Sequence, residues 1–436
     1  MVGGPSKGTR FRPLSMEGFP KPLFPVGGKP MVYHHIKACC EIEGMKEIFL
    51  LGYNEEKEFQ DFLQQMEKKF NIKISYLHEE TELGTAGGLY KFREQILADG
   101  PESIFVLHCD IACPFPLKEM LAFHREKVRE LGIVGTLLGS KVNPEYSHHY
   151  GCLVEDDQHR LQHYAEKPST HVSDLINSGV YCFSPKIFDT IKDTAARLQS
   201  ENSDLPAYLA EALVSIRSGA YLPNVANKLF RSNVWRVNKE SVRLEQDILI
   251  PLSDKSQFCV FANNSFWRQI KNAGAPVYCN ELYLDLFAKT NPSVLAPKAP
   301  NIRGNVIIHK TAQVHPTALL TCAGRLQQLG PNVTVGKNVK IGPGVRISHS
   351  IILDDAEIKD RACVSWSIIG WNSIVGPWSR VEGITNPTPD MYVNKIRKGI
   401  CIVGRDSVIA PELIILNCIV MPHKTLTSSY THEIVL

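Results

Sequence analysis

Val333-Thr334-Val335-Gly336-Lys337-Asn338-Val339-Lys340-Ile341-Gly342-Pro343-Gly344-Val345-Arg346-Ile347 places an aliphatic residue at every sixth position: Val335, Ile341 and Ile347. The spacing extends back to Leu329 and forward to Leu353. Three more sets keep it: Ile302, Ile308, Val314 and Leu320; Ile369, Val375 and Val381; and Val403, Ile409, Ile415 and Met421. Small residues follow many of them, as in Val335-Gly336, Ile341-Gly342, Val375-Gly376 and Val403-Gly404. A six-residue period predicts a parallel β-helix in which each hexapeptide forms one short face of a coil. No coil buries its apolar face alone, so the stacked array is the stable object. Chance aliphatic spacing can mimic one such set but hardly four.

The phase breaks twice. Thr321 to Gln328 separates Leu320 from Leu329, and Ile384 to Cys401 separates the third set from the fourth. Loops are therefore expected at 321–328 and 384–401, projecting from a β-helix over 302–436. The second is rich in Pro, Asn, Lys and Arg and long enough to touch another subunit, although a plain surface loop is the simpler reading.

Upstream the pattern is different. Ile48-Phe49-Leu50-Leu51-Gly52 reads as a buried strand, and Phe59, Phe62, Leu63, Met66 and Phe70 recur at helical spacing within 55–70. A strand over 72–77, a glycine-rich loop, a helix over 89–97 and a buried strand over 104–107 follow. Alternating strands and helices predict an α/β domain over 1–290 with a mostly parallel sheet, joined to the β-helix by a linker at 291–301. Ligands of such sheets bind beyond the C-terminal ends of the strands.

At the N-terminus, Gly3, Gly4 and Gly8 lie close together among Lys7, Arg10, Arg12 and Lys21. Glycines that turn several N–H groups onto one point, ringed by cations, read as a phosphate cradle; a disordered basic terminus is the alternative. Only Met1 and Val2 precede Gly3, so the strand that should lead into the cradle is expected to be truncated, leaving the sheet without a central member.

Bulk composition narrows the classes. The 436 residues exceed one ordinary core, and a formal charge of +3 gives no reason to propose nucleic acid or an anionic membrane as partner. No apolar stretch reaches transmembrane length, and no apolar leader is present. The 12 cysteines lack framework spacing; Cys39-Cys40 fall in a helical pattern, and Cys109, Cys152, Cys182, Cys259 and Cys418 lie among apolar residues, so buried reduced thiols in the cytoplasm are expected. Cys109 and Cys113 have no second pair nearby to complete a zinc site.

Gly3-Gly4, Gly8-Thr9-Arg10-Phe11-Arg12-Pro13-Leu14, Pro20-Lys21-Pro22-Leu23, Leu83-Gly84-Thr85-Ala86-Gly87, Asp110, Glu166-Lys167-Pro168 and Asn177-Ser178-Gly179 stand in the order found in sugar-nucleotide pyrophosphorylases. Joined to a hexapeptide β-helix, the chain resembles the mannose-1-phosphate guanylyltransferase family over nearly its whole length. The resemblance implies a Rossmann-like nucleotidyltransferase domain, a left-handed β-helix, and attack of mannose 1-phosphate on the α-phosphorus of GTP to give GDP-mannose. Positioning and charge neutralisation would be the means.

Carried over residue by residue, Gly3, Gly4, Gly8, Thr9 and Arg10 would hold the triphosphate, and Lys21 would neutralise charge near the attacked phosphorus. Gly84, Thr85 and Gly87 would shape the base and ribose site, with Thr85 also suited to cap a helix. Glu166 and Lys167 would meet the sugar and its phosphate, and Gly151, Asn177 and Gly179 the sugar. Asp110 would ligate Mg2+.

Three departures from the family pattern bear on activity. Pro5-Ser6-Lys7 fills the place of one residue in the cradle, and His108 stands where an asparagine is common. The second metal-binding aspartate is replaced in Trp267-Arg268-Gln269-Ile270-Lys271, where Gln269 offers no charge and Lys271 adds a cation. Mg2+ held by one carboxylate beside a cation should bind weakly. The enlarged loop and the missing aspartate resemble the alpha, regulatory paralog, which implies a nucleotide-sugar-binding subunit that assembles with a catalytic beta paralog and with itself. An active guanylyltransferase and a pure assembly scaffold are the competing expectations.

Overall fold

The computed structural model describes residues 2–3, 9–15, 19–81, 83–203, 241–318, 332–384 and 399–436. The chain gathers into two compact units that interleave in sequence. One comprises Met1–Ser6, Cys39–His108 and Pro116–Asn264; the other comprises Lys7–Ala38, Cys109–Phe115 and Ser265–Leu436. Residues 7–38, 109–115 and 265–290 thus belong with the β-helix rather than with the sheet.

Among its described residues the first unit is built on nine strands: β1 (Val2–Gly3), β2 (Glu47–Gly52), β3 (Lys73–His78), β4 (Ile104–His108), β5 (Gly135–Lys141), β6 (Gly151–Glu155), β7 (Leu161–Glu166), β8 (Leu175–Phe183) and β9 (Phe258–Asn263). Their order is β7-β6-β8-β4-β1-β2-β3, with β5 on β8 and β9 on β5. Strands β1 to β4 pair in parallel, as do β5 and β9, but β8 runs antiparallel to β4, β5 and β6. The sheet is mixed rather than mostly parallel, because β6, β7 and β8 are joined by connections too short for a parallel crossover. The sheet does keep its central member. Val2 pairs with Leu50 and Leu107, and Gly3 with Leu51 and His108, so two residues hold the place between β2 and β4.

Apolar residues of β4, β5, β8 and β9 meet helical residues in one core that includes Val106, Leu137, Phe183 and Val260 with Ala86, Leu89, Ile191 and Ile248. The helix over Gln60–Phe70 buries Leu63 and Met66 and ends at Asn71 in the left-handed region. The helix expected over 89–97 starts earlier and is split, over Gly84–Lys91 and Arg93–Leu97. The glycine-rich segment is therefore its first turns and not a loop. Glycine's poor helix propensity hid this; the burial of Ala86 and Leu89 outweighs it.

In the second unit the described residues of the β-helix form three parallel sheets of seven, six and five short strands. Successive coils are 17 residues apart, as in Val335 against Ile352 and Ile352 against Ile369. Seventeen is six, six and five, so one face of each coil shortens the period. Ile352 and Val420, rather than Leu353 and Met421, therefore join Ile341, Ile347, Ile358, Val364, Ile369, Val375, Val381, Val403, Ile409 and Ile415 in the interior. At that shortened corner His349, Trp366 and Asn417 take positive φ. Ile302, Ile308 and Val314 pack on the same interior. Ala296 in the expected linker donates to Val306. Leu320, Leu329, the loop at 321–328 and residues 385–398 of the second loop lie outside the described residues; Cys401 already belongs to a strand.

The seven-stranded sheet is apolar on its outer face too. Ile351, Leu353, Ile368, Ile402 and Ile419 pack with Phe11, Leu14, Phe24, Val26 and Met31 and with Ile270, Ala275, Val277 and Tyr283. Phe24 makes an edge contact with Trp371, whose ring also lies 4.6 Å from Phe19, and the Arg405 guanidinium covers Phe19. The hairpin Pro25–Val26/Lys29–Pro30 turns at Gly27 and Gly28, both at positive φ, as a two-residue turn requires. Asn280, on the helix over Ala275–Thr290, accepts from the Gly27 amide at 2.9 Å and from the Thr334 hydroxyl at 2.7 Å, tying that hairpin to the first coils. Every described cysteine is a free thiol. Among the described residues no helix is long and apolar enough to cross a membrane.

Two outcomes check this packing. Ile352→Ala should cost roughly 2–5 kcal/mol, read as a lower denaturation midpoint; an unchanged midpoint would place Leu353 inside instead. His34 is buried, donates through Nε2 to the Val26 carbonyl at 2.9 Å and stacks on Tyr283, and burial pushes its pKa down to about 3. The native state keeps this imidazole neutral while the unfolded chain protonates it near pH 6.5, so stability is lost as pH falls from about 6.5 toward 3, by about 1.4 kcal/mol per pH unit. His34→Gln should flatten the fall in thermal midpoint between pH 7 and 5; an unaltered slope would contradict this.

Candidate functional site

The expected site residues fall into two groups, one in each unit. In the second unit Lys21 lies in a single helical turn, Lys21–Leu23, fixed by Pro20 and Pro22 and anchored by buried Phe24. Its Nζ is 3.2 Å from Asp110 Oδ2, with the side chains only 11% and 22% exposed. Asp110 occupies the turn between β4 and Ile111–Ala112, which pairs antiparallel with Arg268–Gln269. The Ile270 amide closes the ladder onto the Asp110 carbonyl at 2.7 Å. That register brings Gln269 to Asp110, its Nε2 lying 3.3 Å from both carboxylate oxygens. The Lys271 amide donates to the Gln269 carbonyl.

Mg2+ requires anionic oxygens in octahedral array. Here one carboxylate faces an ammonium and an amide donor. Among the described residues no cluster of three or more His, Cys, Asp or Glu side chains is placed to hold a metal ion. These residues fit a divalent cation poorly. They do fit a role in which Lys21 is neutralised by Asp110. Arg10 is exposed, in the turn Thr9–Phe11 that buries Phe11 beside it. Gly3 is in β1 of the other unit, and Gly4 and Gly8 lie outside the described residues.

The first unit assembles a continuous hydrogen-bonded chain. The Tyr164 hydroxyl donates to Glu166 at 2.8 Å and accepts from Asn177 Nδ2 at 3.2 Å. The same Nδ2 donates to the Tyr181 hydroxyl at 2.8 Å, and Tyr181 donates to Glu245 Oε1 at 3.2 Å. Glu245 Oε2 accepts from the Thr85 hydroxyl at 3.1 Å, which in turn accepts from the Leu244 amide at 2.8 Å. His108 Nε2 lies 3.4 Å from Glu245 Oε1. Burial pushes the pKa of Tyr164 and Tyr181 well up, so both hydroxyls stay protonated donors.

The glycines sit where this chain leaves no room. Gly84 has φ +76 and a Cβ there would lie 2.5 Å from the Val242 carbonyl, which accepts from Ala86 and Gly87 amides. Gly151 abuts the Tyr164 hydroxyl and Glu166, and Gly179 abuts the His108 ring while its amide donates to Asn177 Oδ1 at 3.1 Å. Lys167 takes φ +47, donates its amide to the Tyr150 carbonyl and pairs its ammonium with Glu166.

Thr85, Gly151, Glu166, Lys167, Asn177 and Gly179 are thus brought to one polar network, Gly84 and Gly87 meet the Val242 carbonyl, and Arg10, Lys21, Asp110 and Gln269 belong to the other unit. Thr85 does not cap its helix. Leu83 holds the cap position, and Thr85 lies one residue inside. Sequence reading missed Glu245, Tyr164 and Tyr181. Glu245 stands among Arg243, Gln246 and Asp247 with nothing local to single it out, and the tyrosines carried no signal beyond strand propensity.

A mixed α/β sheet followed by a parallel β-helix, with this pair of polar groups, defines a nucleotidyl transferase architecture. Residues 1–228 match the family model described as nucleotidyl transferase, and residues 302–435 match the GMPPB C-terminal domain. Over its full length the chain is 49% identical to a Dictyostelium discoideum protein named mannose-1-phosphate guanylyltransferase regulatory subunit alpha, covering 98% of that protein. It is 43% and 42% identical to proteins of the same name from Sus scrofa and Homo sapiens, covering 99% of each. The chain belongs to this family of guanylyltransferase alpha subunits.

Gln269→Asp combined with Lys271→Gly restores a second carboxylate beside Asp110 and removes a nearby cation. Mg2+ affinity should rise about tenfold or more in titration, since ligand charge sets affinity. Unchanged affinity would mean that the residue at 269 is not what excludes the ion.

Proposed function

We propose that this chain is a regulatory subunit that holds a nucleotide sugar of the GDP-mannose type, with weak or absent guanylyltransferase activity of its own. The observation that carries the reading is the Lys21–Asp110–Gln269 arrangement. Transfer of a nucleotidyl group joins two anions and depends on neutralising charge at the attacked phosphorus. Asp110 instead balances Lys21 at 3.2 Å and takes an amide donor from Gln269. Mg2+ bound at Asp110 would have to displace both, so binding there is weak. Arg10, Lys21 and Lys167 keep charges that suit phosphate groups, as vestiges of a catalytic set.

In the first unit, Glu166, Asn177 and Thr85 supply oxygen acceptors for sugar and ribose hydroxyls, with Gly84, Gly87, Gly151 and Gly179 allowing close backbone approach. Gly3, Gly4, Gly8 and Thr9 are the proposed phosphate contacts. A chain with no catalytic duty but a retained sugar site is served by a catalytic partner, here a beta-type guanylyltransferase subunit, together with self-association. The names of its relatives support that partner class. The free thiols support a cytoplasmic setting.

The purified full chain, given GTP, mannose 1-phosphate and Mg2+, should release no steady pyrophosphate without a partner. Sustained turnover by the chain alone would overturn the regulatory reading.

A further inference from the structure

Glu245 lies in a π-helical stretch, Leu244–Leu249, outside the motifs shared with sugar-nucleotide pyrophosphorylases. Its carboxylate is the meeting point of three separate elements. Thr85 reaches it from the helix over Gly84–Lys91, Tyr181 from β8, and His108 from the end of β4. A residue serving only to fold its own turn would bond to that turn. Here the turn's own anchor is Asp247, which accepts from the Arg243 amide at 2.7 Å. Glu245 is directed elsewhere, with its side chain 17% exposed.

The chemistry of the donors is restrictive. The Thr85 hydroxyl already accepts from Leu244, and the Tyr181 hydroxyl already accepts from Asn177. Each therefore spends its only proton on Glu245, one on each oxygen. An ionised carboxylate accepts at both oxygens, whereas an amide accepts at one and presents hydrogens at the other. Movement of Thr85 thus pulls on the same group that orients Tyr181, and through Tyr181 the Asn177 amide, whose Oδ1 holds the Gly179 amide.

We infer that Glu245 is a positioning residue that couples the nucleotide side of the site, at Thr85, to its sugar side, at Asn177. The inference rests on the nucleotide-sugar reading above. Occupation of one side fixes Glu245 and so prepares the other, which makes the two halves of one ligand bind more tightly together than separately.

Calorimetry of the full chain with GDP and with GDP-mannose measures the gain in affinity contributed by the sugar. Glu245→Gln should reduce that gain about tenfold, as expected for losing one hydrogen bond to a charged acceptor, with GDP affinity within about threefold of wild type. Tyr181→Phe keeps the ring and removes the same link, so it should reproduce the loss even if Glu245→Gln folds poorly. Asn177→Ala combined with Tyr181→Phe should lose no more than Asn177→Ala alone. A sugar gain unchanged in Tyr181→Phe, or losses that simply add, would overturn the coupling while leaving nucleotide-sugar binding intact. Wild-type chain that binds neither compound would overturn the coupling and the nucleotide-sugar reading together.

Discussion

The second unit depends on one constraint: the seven-stranded sheet of the β-helix is apolar on both faces. Adjacent residues of a strand point to opposite sides, so Ile351-Ile352, Ile368-Ile369, Ile402-Val403 and Ile419-Val420 each send one side chain inward and one out. A bare outer face would expose a continuous aliphatic patch to water. Phe11, Leu14, Phe24, Val26, Met31, Ala112, Ile270, Ala275, Val277 and Tyr283 cover it. Lys21 adjoins the cover at Phe24, and Gln269 adjoins it at Ile270. The Lys21–Asp110–Gln269 group is therefore positioned by the β-helix, which gives that module a role beyond stacking coils.

Within this cover the electrostatics are simple. A half-buried carboxylate needs a compensating charge, and removing one partner of such a pair leaves the other poorly solvated. With aspartate at 269, two neighbouring carboxylates would need more cationic charge than Lys21 supplies, and a divalent ion is the natural answer. With glutamine the pair is already balanced, and the amide satisfies the remaining oxygen positions.

How much of this was legible follows from the range of the interactions. The hexapeptide rhythm is local and showed in the sequence. The five-residue corner did not, because Ile352 and Leu353 are both aliphatic and only the 17-residue register distinguishes them. The helix beginning at Gly84 was hidden by the three glycines in 84–88, a local signal overruled by burial of Ala86 and Leu89. The change at Gln269 was readable as a break in a motif, but the 3.2 Å pairing of Lys21 with Asp110 was not. Glu245 was out of reach altogether. Its bonds to Thr85 and Tyr181 span 160 and 64 residues, and nothing in a short window reports such contacts.

The network in the first unit also bears on what kind of recognition is achievable. Asn177 spends its amide nitrogen on two tyrosines and its oxygen on Gly179, while Tyr164 and Tyr181 spend their protons on Glu166 and Glu245. A ligand hydroxyl entering such an array meets groups already held in place, so little ordering entropy remains to be lost on binding. It must also match the few acceptor positions left over, which favours one hydroxyl pattern over its epimers. Fixed groups of this kind recognise a stable ligand well. Acceleration of phosphoryl chemistry needs the opposite, interactions that strengthen only as charge develops at the transition state. The group around Asp110 has its charge balanced in advance, and a balanced pair has little left to offer a developing anion.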